Sequence, residues 1–61
     1  MESNLNQWAG EIRAHAEVLA DIVRTSDFRM QDVSLMVSQC VAIQSLAESF
    51  AKHVKEASNA N

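Results

Sequence analysis

The feature that most constrains this chain is a run of apolar residues at Val33, Met36, Cys40, Ile43, Ala47, Phe50, Val54 and Ala57, separated alternately by three and four positions. An α-helix, turning about 100° per residue, brings such positions onto one face, and the three-four alternation is the pattern of helices packed side by side in a bundle. Leu35, Ala42 and Leu46 lie to one side of this seam, and Val37 and Val41 lie to the other. The apolar arc therefore takes up well over half of the helix circumference, more than one neighbouring helix can cover. The strip that remains holds Ser34, Ser38, Ser45 and Ser49, small polar residues that either face water or admit a close neighbour.

A second ladder precedes this one. Leu5, Trp8, Ile12, Leu19 and Ile22 recur at helical spacing, with Ala9, Ala16 and Val23 beside them and His15 on one rung. Asn6, Arg13, Glu17, Asp21 and Arg24 fall on the other side, so this is an ordinary half-covered helix. Ser3 is a candidate N-cap, and Gly10 is a local weak point costing about 1 kcal/mol relative to alanine. The stretch Arg24-Thr25-Ser26-Asp27-Phe28-Arg29 breaks the ladder and supplies short polar side chains that can cap a following helix.

These patterns predict an all-α chain forming one domain over residues 1–61: helix 1 over about 4–24, a turn over about 25–29, helix 2 over about 30–57, and a frayed tail at 58–61. Asp32 in the first turns of helix 2, and Lys52 and Lys55 in its last, suit the helix dipole. Glycine and proline together account for a single residue, Gly10, which leaves no material for a linker or a Gly-rich phosphate loop. An antiparallel hairpin of two helices has one contact face, too little burial to offset the entropy of ordering the chain. A second copy is therefore expected, pairing two hairpins into a dimeric four-helix bundle with helix 2 at its centre.

Catalytic chemistry is not expected. Cys40 sits between Met36 and Ile43 on the seam, where a thiol behaves as a small hydrophobe. No Cys or His has a second Cys or His at i+3 or i+4 and there is no Glu-x-x-His pair, so no metal or other cofactor is expected, and Glu17 and Asp21 read as a solvated charged surface with Arg13 and Arg24. His15 reads as a packed, hydrogen-bonded residue, and His53 as exposed or rimming an interface. With one cysteine no disulfide forms within a copy, and no apolar leader follows the acidic start Met1-Glu2-Ser3-Asn4, so a cytoplasmic location is expected. The longest uncharged run, Val33 to Ala47, contains three serines and two glutamines and is too short and polar to predict a membrane span.

The net charge of −3 argues against a nucleic-acid surface. Two resemblances bear on function. Trp8-Ala9-Gly10 is similar to the Trp-x-Gly tripeptide of the small helical hairpins exported by type VII systems, although that family carries it in the turn and here it falls inside helix 1. A dimer of hairpins of this size also resembles, in architecture alone, the plasmid regulator Rop, which binds paired RNA loops; helix 1 here sets Glu11, Glu17 and Asp21 against Arg13 and Arg24.

The expected function is thus a small protein-interaction module of bacterial or phage type, a regulator, adaptor or inhibitor. A Rop-like nucleic-acid-binding regulator and a structural assembly subunit are the alternatives. The expected dimer or partner interface is Val33, Met36, Val37, Cys40, Val41, Ile43, Leu46, Ala47, Phe50 and Val54. If a second copy covers helix 2, a further protein partner is left the outer side of helix 1, with Glu17 and Asp21, and the turn residues Asp27, Phe28 and Arg29. If it does not, the free surface is Leu35, Val41, Ala42 and Leu46.

Overall fold

The computed structural model describes the backbone of residues 2–59 and the side chains of residues 4–59. Two helices, α1 (Glu2–Thr25) and α2 (Met30–Asn59), pack against each other as a hairpin. The helix of α1 already includes Ser3, whose side chain lies outside the described residues, as do Met1, Ala60 and Asn61. At its far end α2 continues through Ser58 and Asn59, so Lys55 sits more than a turn inside it and no base occupies the last turn.

The turn is built by Ser26. Its backbone N–H donates to the Val23 carbonyl at 3.5 Å, closing α1, and its hydroxyl oxygen accepts the Phe28 N–H at 2.7 Å. The same hydroxyl donates to Asp32 Oδ2 at 3.3 Å, tying the turn to the first turn of α2. There the acidic side chain also faces the positive end of the helix dipole. α2 opens where the Val33 N–H donates to the Arg29 carbonyl at 2.9 Å. Between these anchors the chain reverses through Phe28, at φ 60°, in the left-handed region that a residue with a Cβ enters only at a cost of about 1–2 kcal/mol. In a chain with glycine only at position 10, a bulky residue occupies the place a glycine ordinarily fills.

The contact between the helices runs along Leu5, Trp8, Ile12, His15, Leu19 and Ile22 of α1, all half-buried. On α2 the half-buried line is Asp32, Met36, Gln39, Ile43, Leu46 and Phe50, flanked by Ala42 and Ser49. Midway along it His15 Nδ1 donates to the Gln39 side-chain oxygen at 2.8 Å. Near the open end the Trp8 and His53 rings meet with centroids 5.1 Å apart and tilted by 42°, and His53 Nδ1 donates to the Ser49 carbonyl at 2.8 Å.

The hairpin measures 49 × 15 × 10 Å, a slab one helix thick. A side chain in such a slab has neighbours on one side only, and among the described residues none is buried. The radius of gyration, 14.4 Å, compares with about 10.5 Å for a compact chain of this length.

Candidate interaction surface

The structure divides the expected interface residues into two sets. Met36, Ile43, Leu46 and Phe50 are half-buried against α1. Val33, Val37, Cys40, Val41, Ala47 and Val54 stay exposed, with Val37 56% and Val41 59% accessible. The line that meets α1 therefore lies partly beside the periodic seam: Gln39 stands in it instead of Cys40, and Leu46 instead of Ala47. The larger side chains reach across to α1, and the His15–Gln39 hydrogen bond satisfies two polar groups that would be costly to cover unpaired.

Handedness settles how the exposed residues are distributed. In an antiparallel pair of right-handed helices, stepping one residue on from a contact position turns to the same side of the hairpin in both helices. On that side α1 carries Ala9, Ala16, Ala20 and Val23, all exposed. α2 carries Val33, Val37, Cys40, Ala47, Ala51 and Val54 there, also exposed. Apart from these, the side holds Asn6, Gln44 and a single charge, Arg13, whose Nε donates to Glu17 Oε2 at 3.1 Å.

The opposite side differs. Its α1 residues include Gln7, Glu11 and Asp21, and its α2 residues include Ser38, Ser45 and Lys52, with Val18, Leu35 and Ala42 interspersed. Ser34, Ser38 and Ser45 are exposed and Ser49 is half-buried, so the serine strip stands at the solvent for most of its length. A shallow groove of about 350 Å³ opens beside it, lined by Gln7, Trp8, Glu11 and Leu46.

The remaining candidate residues are outward. Glu17 pairs with Arg13 and Asp21 with Arg24 along exposed α1, and Asp27, Phe28 and Arg29 are exposed in the turn. Among the described residues no three of His, Cys, Asp and Glu stand close enough together to hold a metal ion. α2 also contains an 18-residue window with a mean hydropathy of 1.2, long and apolar enough by length and composition to cross a membrane. Eighteen residues exceed the uncharged run Val33 to Ala47, so such a stretch takes in at least one charged side chain.

The accessible surface is 4847 Å². A compact monomer of 6.7 kDa exposes about 3,900 Å², so the hairpin presents roughly 900 Å² more than a closed fold of its mass. Comparison with protein families, with curated proteins and with solved structures finds no match for this chain.

Proposed function

We propose that this chain is a small non-enzymatic interaction module: a helical hairpin that pairs with a second copy into a four-helix bundle and engages another protein as a regulator, adaptor or inhibitor. The observation that carries it is the excess surface of roughly 900 Å², close to the 800 Å² or so that each partner contributes to a standard protein interface. Two slabs laid face to face supply the second layer that the single hairpin lacks, and give the half-buried contact residues a dry interior.

Once helix 2 is covered, the surface for the further partner is the charged outer side of α1, with Glu17 and Asp21, together with Asp27, Phe28 and Arg29 at the turn. Glu17 and the Arg24–Asp21 pair lie on this exposed ground, where charged groups add selectivity more than affinity. A cytoplasmic setting, where Cys40 stays reduced, belongs to the same reading.

Sedimentation equilibrium over a wide dilution range, with circular dichroism on the same samples, tests the pairing. The expected result is a helical species of twice the chain mass that loses helicity as it dissociates. A fully helical monomer at every concentration refutes it.

A further inference from the structure

Resting on that pairing, we infer which side of the hairpin the second copy covers: the side reached by stepping one residue on from each contact position, where the antiparallel register set by His15 and Gln39 brings Ala9, Ala16 and Ala20 of α1 level with Ala47, Cys40 and Val37 of α2. On α2 this side is itself a regular stripe, Val33-Val37-Cys40-Gln44-Ala47-Ala51-Val54, spaced four and three in turn. It is a second heptad line adjoining the one that meets α1, and a helix with two such lines belongs between two neighbours. On α1 three of the six positions on the same side, Ala9, Ala16 and Ala20, are alanine, which lets a facing helix approach to the short end of the usual 8–10 Å range.

The chemistry of this side selects a second copy as the occupant. It has no aromatic residue and no large anchor of the kind that seats in the pocket of an unrelated protein. A lipid surface recognises Trp, Phe and flanking bases, and the side offers only Arg13, already held by Glu17. With no acid and one cation on it, an identical surface brings almost no like-charge contact when turned onto it by a two-fold axis. The opposite side, with Glu11, Asp21 and Lys52 among its serines, would set charges into a dry interface.

The test uses two substitutions of matched exposure and one native thiol. Val37 is 56% accessible and Leu35, on the opposite side, 52%, so an aspartate at either position disturbs the isolated hairpin to a similar extent. In sedimentation equilibrium Val37→Asp is expected to raise the dissociation midpoint about 100-fold or more, because two-fold symmetry places two unpaired carboxylates in one interface. Leu35→Asp is expected to move it less than about threefold, as a surface change does. The reverse order, or equal effects, overturns the assignment.

A readout on the unsubstituted chain guards against a variant that merely unfolds. Cys40 is exposed in the single hairpin, so its alkylation by iodoacetamide should slow about tenfold or more as the concentration rises through the association midpoint. A chain carrying Cys40→Ser and Ser38→Cys, its thiol on the opposite side, should label in the associated state as fast as when dilute. Association that leaves Cys40 labelling unchanged overturns the choice of side while leaving the pairing intact. A chain that stays monomeric, or that binds phosphatidylcholine vesicles instead of itself, overturns both.

Discussion

Phe28 offers the sharpest test of the turn. It is a bulky residue at φ 60°, where its Cβ crowds the following carbonyl, and it is 64% exposed. Comparing Phe28→Ala with Phe28→Gly removes the ring from both variants, so whatever the ring contributes cancels and only the Cβ differs. In the left-handed region that Cβ costs about 1–2 kcal/mol. Against it stands the greater freedom of glycine in the unfolded chain, which ordinarily favours alanine by about 0.5–1 kcal/mol. The balance leaves Phe28→Gly the more stable by about 0.5–1 kcal/mol, an inversion of the usual order. For a chain of this size that corresponds to a melting point higher by roughly 4–8 °C. The assay is thermal denaturation followed at 222 nm, with both variants at one protein concentration, since association makes the melting point depend on it. Phe28→Asn, whose side chain tolerates the same backbone region, should fall on the glycine side of the comparison. Equal melting points, or a more stable Phe28→Ala, would show that the reversal does not pass through a left-handed residue at position 28 and would refute the account of the turn.

Other substitutions probe the rest of the hairpin. Gly10 lies inside α1 with nothing within 4 Å of the place a Cβ would take, so Gly10→Ala should stabilise by about 1 kcal/mol, read as a higher urea midpoint at unchanged slope. A double-mutant cycle on His15→Ala and Gln39→Ala should give a coupling of about 1 kcal/mol for their 2.8 Å hydrogen bond; additive losses would mean that the bond contributes nothing. Glu17→Ala and Asp21→Ala break exposed pairs, and each should change stability by less than about 0.5 kcal/mol, with the difference shrinking further in 1 M salt. A larger, salt-insensitive loss would mean that these carboxylates have partners other than Arg13 and Arg24.

Sequence alone determined that there are two helices and where they break. The three-four spacing from Leu5 to Ile22 and from Val33 to Ala57 is local information, carried by residues within a turn or two of each other, and the short polar side chains between the ladders mark the reversal. The helical ends were placed less well, because α2 reaches Asn59 on backbone hydrogen bonds that no side-chain pattern marks. Sequence also showed that α2 has more apolar surface than one neighbour covers.

Which part of that surface meets α1 was decided only in the tertiary structure. Around the middle of α2 apolar residues occupy so much of the circumference that several rotations bury comparable area, and periodicity ranks Val33, Cys40 and Ala47 with Met36, Ile43 and Phe50. Packing breaks the tie through the partner: Leu46 is half-buried against α1 while Ala47, one residue on, turns to the side of the hairpin, and Gln39 enters the contact with His15 opposite to bond it. The polarity of Gln39, which argues against burial when read by itself, becomes a reason for it only once the other helix is in place. That rotation leaves Val33, Val37 and Cys40 outside, beside the alanines of α1. The alignment of two stripes distant in sequence depends on the handedness of both helices and on their antiparallel contact, a relation between segments that neither segment encodes.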